Sequence, residues 1–184
     1  MSKAQTYNVR KLVLAAMLTA IVVVLQLLGN FIQITPLLSI SLVLVPIVIG
    51  AALLGPIIGL WLGFVFGMTV LLAHGADFFL AYDSLATIVV VLVKGSAAGL
   101  CAGLVYHLLE KKNQYVAVFA AAIVCPTVNT GIFLIGCLLF FQEIFPISGL
   151  IFANYGLELA VNIILAPVIL RLVNIGREMW GKEK

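Results

Sequence analysis

The sequence predicts an all-α integral membrane protein of six transmembrane helices with both termini on the cytoplasmic side. Three observations carry this. The 184 residues are 64% hydrophobic and only 9% charged, with a mean hydropathy of +1.27, whereas soluble domains are nearer half apolar and a quarter charged. The apolar residues fall into long runs, and at ~20 residues per span the chain holds about six. The basic residues cluster at alternate ends of those runs. Residues 1–184 are therefore expected to form one transmembrane domain.

The spans are read at about 11–29, 39–54, 56–73, 84–109, 115–141 and 148–174. "GNFIQITP" separates the first two. "LLGP" marks a tight turn between the second and third, because Gly-Pro punctuates a helix pair. "HGADFFLAYDS", "EKKNQ" and "FQEIFPISG" make the remaining connections. The first apolar run, Leu12 to Leu28, is long for a signal-peptide core and no A-x-A-like cleavage site follows, so it is expected to remain as a span.

Lys3, Arg10 and Lys11 precede the first span, Lys111 and Lys112 lie in the fourth connection, and Arg171, Arg177, Lys182 and Lys184 close the chain. Positive residues favour the cytoplasmic side, and an even span count puts all three groups there. The opposite connections carry Asp77, Asp83 and Glu143 instead. The same asymmetry accounts for the basic balance without a nucleic-acid partner. Lys94 alone departs from it, since it falls inside a span.

The pattern G-x-x-x-x-G-K-[ST] is absent from the sequence, so ATP hydrolysis by this chain is not expected. No Ser/His/Asp constellation is evident. Cys101, Cys125 and Cys137 lie within spans without C-x-x-C spacing, which reads as small apolar residues rather than a metal or disulfide framework. His74 and His107 sit at span ends, where histidines are more often bystanders than catalysts.

The informative residues are polar ones inside spans. Lys94 and Glu158 lie about ten residues into the fourth and sixth spans, and each costs roughly 2.5–3.5 kcal/mol on insertion scales, so each should face protein or a cavity. Both spans start on the same side, which puts the two charges at similar depth, within reach of a pair. Asn154, Glu158 and Asn162 are spaced i, i+4, i+8 and share one helix face, with Tyr155 beside them. The fifth span carries "VCPTVNTGIFLIG", in which Pro126 loosens the helix near Asn129 and Thr130 and Gly131 permits close approach. Asn and Thr in spans often serve only as interhelical glue, worth ~0.6 kcal/mol on average. Taken together, Lys94, Asn129, Thr130, Asn154, Tyr155 and Glu158 point to a ligand cavity. The G-x-x-x-G runs Gly55–Gly59–Gly63–Gly67 and Gly95–Gly99–Gly103 read as close packing.

These features, in order along nearly the whole chain, resemble the substrate-binding S component of an energy-coupling factor (ECF) vitamin transporter. The resemblance is carried by "VRKLVLAAMLTAI" with A-x-x-x-A at Ala16 and Ala20, by "PIVIGAALLGPIIGLWLGFVFGMTVLLAH", by "VKGSAAGLCAGLVY" and by "PTVNTGIFLIGCLLFF". It implies an S-component-like six-helix bundle in the bacterial cytoplasmic membrane. It further implies a vitamin site under the first, third and fifth connections, with "NFIQITP" as part of a lid. It implies docking on a transmembrane T component through Ala16 and Ala20, and transport driven by two separate cytoplasmic ATPases. The chain itself would be no enzyme and would hold no cofactor or metal. "PTVNTGIFLIG" and Lys94-Gly95 look most like the pantothenate-type branch; a neutral vitamin such as riboflavin is the alternative if Lys94 and Glu158 neutralise each other. A stand-alone proton-coupled carrier using Lys94 and Glu158 is the reading from a different class.

Overall fold

Helices dominate the computed structural model, which describes residues 3–31, 33–35, 38–39, 42–142 and 148–181. They are α1 (Lys3–Phe31), α2 (Leu44–Leu54), α3 (Pro56–Leu72), α4 (Asp77–Tyr82), α5 (Ser84–Leu109), α6 (Gln114–Phe140) and α7 (Ser148–Gly181). A short antiparallel pair, β1 (Gln33–Thr35) and β2 (Leu38–Ser39), lies between α1 and α2. Four helices hold segments long and apolar enough to cross a membrane: Val9–Gly29, Ser84–Leu109, Gln114–Phe140 and Ile151–Glu178. The apolar helices α2 and α3 are shorter.

Local chemistry explains where these helices begin. The Asp83 carboxylate accepts from Ala86 N at 3.0 Å, and the Asn113 side chain accepts from Tyr115 N at 2.9 Å. Each satisfies an otherwise orphaned N–H in the first turn, an effect of about 1 kcal/mol. Between α2 and α3 the chain turns at Gly55, whose φ of 106° is a conformation that favours glycine. Pro56 follows as the first residue of α3, where its missing N–H costs nothing.

Four features differ from those read in the sequence. The first helix begins at Lys3, eight residues before the expected 11. The second span was expected from residue 39, but β2 occupies Leu38–Ser39 and the helix starts at Leu44; residues 40 and 41 lie outside the described residues. A short apolar run has the same hydropathy as strand or helix, which is why the pattern did not separate them. The third connection contains a turn and a half of helix, α4. The last helix runs on from the expected 174 to Gly181. Lys182, Lys184 and Glu143 lie outside the described residues, as do Ile32 and Pro36 of the lid stretch.

The core forms around α2, which is buried on nearly every side: Leu44, Ile47, Val48, Ala51 and Ala52 are almost inaccessible. A helix apolar all round belongs in such a place. The most extensive interhelical contact joins α3 to α5, along a seam of glycines. Gly59 faces Gly99, and Gly63 faces Gly95, so closely that a Cβ on any of them would collide with the partner's carbonyl. At Gly103 a Cβ would stand 2.6 Å from Pro56 Cα. From Gly59 onward the G-x-x-x-G runs act as expected, letting two backbones touch. Gly55 instead serves the turn, with nothing within 4 Å of a Cβ built there. Gly131 brings no backbones together either: nothing lies within 4 Å of a Cβ built there. The expectation that it permits close approach is corrected; one glycine without an i+4 partner forms no seam.

A polar knot ties the ends of α5, α6 and α7 that carry the basic residues. Glu110 accepts from Arg177 Nη2 and also meets His107 Nδ1 at 2.8 Å. Arg177 lies over the Tyr106 ring, 5.5 Å from its centroid. Gln114 Nε2 donates to Asn174 Oδ1 at 2.6 Å.

Candidate functional site

Two places in the bundle merit comparison. The first is an apolar groove of about 500 Å³ between α1, α2 and α7, bounded by residues such as Leu14, Leu25, Ile49 and Leu165. Every residue lining it is apolar or glycine. Small-molecule sites combine an apolar wall with a few placed polar groups, and this groove supplies none.

The second place is a polar cluster where α5, α6 and α7 meet. Glu158 on α7 is 5% exposed, Asn162 0%, and Asn129 and Thr130 on α6 are 3% and 6%. The four-residue spacing on α7 brings its three polar side chains onto one buried face. Asn154 Nδ2 donates to Glu158 Oε1 at 3.1 Å. Asn162 Nδ2 donates to the Glu158 main-chain oxygen at 2.8 Å. From α6, Asn129 and Thr130 direct polar groups at the same carboxylate, and from α5 the Lys94 ammonium acts on it electrostatically. Lys94 and Glu158 do not form a direct ion pair among the described residues. The ammonium instead lies over the Phe133 ring of α6, 4.4 Å from the centroid, where the ring's negative face attracts a cation.

Pro126 leaves α6 continuous while removing one backbone donor. One residue on, Thr127 Oγ1 returns a bond to the Ile123 carbonyl at 2.7 Å. Three acceptors of the cluster are buried without a hydrogen-bond partner among the described residues: Glu158 Oε2, Asn129 Oδ1 and Asn162 Oδ1.

Of the six residues singled out in the sequence, the structure thus gathers Lys94, Asn129, Thr130, Asn154 and Glu158 about one carboxylate. Tyr155 points elsewhere. Its hydroxyl meets Thr127 Oγ1 at 3.0 Å on an exposed face between α6 and α7. Thr127 and Asn162 are the polar partners that were not put forward as site residues. Asn162 had a signal, its place in the i, i+4, i+8 series; Thr127 had none, because its partner is 28 residues away. Ala16 and Ala20 are both exposed on α1, on a different side of that helix from the groove-lining Leu14, Leu18, Ile21 and Leu25.

An apolar bundle that buries a glutamate, two asparagines and a threonine beside a half-buried lysine is a multi-pass membrane protein of the substrate-handling kind. A family model, ECF transporter, substrate-specific component, matches residues 10–175. The chain belongs to that family. It is accordingly a transport subunit and not an enzyme, and its family works with a small-molecule substrate and with T and ATPase components. No curated protein and no solved structure matches it.

Proposed function

We propose that this chain is the high-affinity membrane-embedded binding subunit for a vitamin or related micronutrient, with pantothenate the leading candidate. It delivers that ligand for ATP-driven uptake by a T component and two ATPases. The observation that carries this reading is the convergence of Lys94, Asn129, Thr130 and Asn154 on the Glu158 carboxylate within an otherwise apolar bundle. Intramembrane ionisable groups are costly and mark ligand or ion pathways. Pantothenate matches the inventory: a carboxylate for Lys94, and hydroxyls and an amide for the side chains around Glu158. A lysine holds a carboxylate as a point charge.

The remaining parts of the reading follow the family. Residues 1–184 act as one unit of six membrane helices, α1, α2, α3, α5, α6 and α7, in the bacterial cytoplasmic membrane. Both termini face the cytoplasm, a reading that the distribution of Lys and Arg supports. The exposed Ala16 and Ala20 dock on the T component. The chain holds no cofactor or metal of its own, and ATP is hydrolysed by the partners.

The test is binding by the isolated protein, measured by calorimetry against a vitamin panel and by mass spectrometry of co-purified small molecules. Tight binding is expected from this chain alone, with uptake into vesicles only when T and ATPase subunits are added. A protein that binds no vitamin in either measurement would sink the proposal.

One observation favours a second reading. Lys94 and Glu158 influence each other within the membrane without a direct ion pair, as a charge relay in a proton-coupled carrier would. That reading requires pH-gradient-driven uptake in vesicles holding only this chain; dependence on ATP and partners excludes it.

A further inference from the structure

The polar cluster is asymmetric in its hydrogen bonding. Among the described residues, the buried atoms it leaves unpartnered are all oxygens. Asn162 Nδ2 is spent on the Glu158 main-chain oxygen and Asn154 Nδ2 on Glu158 Oε1. Asn129 and Thr130 lie close to the same carboxylate. What remains buried and unpartnered is one kind of atom only: Glu158 Oε2, Asn129 Oδ1 and Asn162 Oδ1.

The Asn162 amide orientation is not arbitrary. Turning it over would set its oxygen against the Glu158 carbonyl oxygen, a repulsive arrangement, so the network assigns oxygen to that unpartnered position. A buried acceptor without a donor carries its full desolvation cost. Lys94 presents the opposite chemistry. Its ammonium rests on the Phe133 ring, 4.4 Å from the centroid, with no direct carboxylate partner.

A simple anion does not answer this arrangement. It would satisfy Lys94, leave all three acceptors as they stand, and lie beside a carboxylate. We propose, on the reading that this cluster is the ligand site, that the ligand is a two-ended polar molecule. Its hydroxyl or N–H donors meet Glu158 Oε2 and Asn129 Oδ1, and its anionic or carbonyl end turns to Lys94. Asn162 Oδ1 supplies a third acceptor one turn along α7.

The experiment uses the full chain in lipid nanodiscs and calorimetry with probes of defined donor content. Pantothenate has two hydroxyls and an amide N–H beside its carboxylate. Riboflavin is neutral and rich in hydroxyls. Nicotinate is an anion with no donor. The better of the first two is expected to bind at least about 100-fold more tightly than nicotinate, because a site built for hydroxyl or N–H donors strongly rejects a molecule lacking them. Methylating the hydroxyls of that ligand should weaken it about tenfold or more, and Asn129→Leu should narrow the difference between parent and methylated forms by about threefold or more. Nicotinate binding as tightly as the best donor-bearing probe, or a methylated ligand within about threefold of its parent, overturns this inference and leaves the micronutrient reading in place. Binding of none of these and of no other vitamin in the panel overturns the micronutrient reading, and this inference with it.

Discussion

The α3/α5 interface and the α6/α7 interface are built from similar letters to opposite ends. Along α3 and α5, glycines recur every fourth residue and the two backbones touch at Gly59–Gly99 and Gly63–Gly95. There is no interior proline in either helix, and no side chain stands between the paired glycines. Along α6 and α7, each helix carries an interior proline, Pro126 and Pro167. Gly131 faces open space, and three buried oxygens lack partners. One interface is optimised for packing. The other forgoes packing and hydrogen-bond satisfaction, the pattern expected where the second requirement is a ligand.

Substitutions can break this contrast. The largest effect is expected at the seam. Gly63→Val should cost more than about 4 kcal/mol, because the new side chain would occupy the position of the Gly95 carbonyl and no side chain can yield. Size-exclusion profiles and thermal melts in detergent would read it, and a well-folded variant would deny the seam its role. Next comes Lys94→Met, expected to weaken an anionic vitamin more than about tenfold; unchanged affinity removes Lys94 from the site. Asn129→Leu should leave membrane insertion intact or improved, since a polar amide is removed from a span, while weakening the ligand by about tenfold. A parallel loss of folding would assign Asn129 to the scaffold instead. Smallest of all is Gly131→Ala, expected to change stability by less than about 0.5 kcal/mol. A collapse there as severe as at Gly63 would erase the distinction between the two interfaces.

Much of this was legible in the sequence because membrane spans advertise themselves by composition. The expected 84–109 coincides with α5, and 115–141 differs from α6 by one residue at each end. The seam was legible too, since its four-residue period is the signal. What the sequence withheld depends on rotation and on distant partners. Gly131 and Gly63 are the same letter, and only packing tells open space from contact. Tyr155 sits next to Asn154 in the chain, yet its hydroxyl goes to Thr127 rather than to the carboxylate. β1 and β2 were hidden because hydropathy does not distinguish a short apolar strand from the start of a helix.

The knot at the basic ends of α5, α6 and α7 has a mechanical consequence. Arg177 is held by Glu110, and Asn174 by Gln114. Asn154 lies 23 residues up the same helix, about 35 Å away at 1.5 Å per residue. A rod pinned at one end moves most at the other. A tilt of only about 5° about the knot would carry Asn154 roughly 3 Å from its neighbours, and Pro167 lies between the two as a place to bend. Leverage of this kind opens the cluster toward the far side of the bundle while the pinned end stays shut.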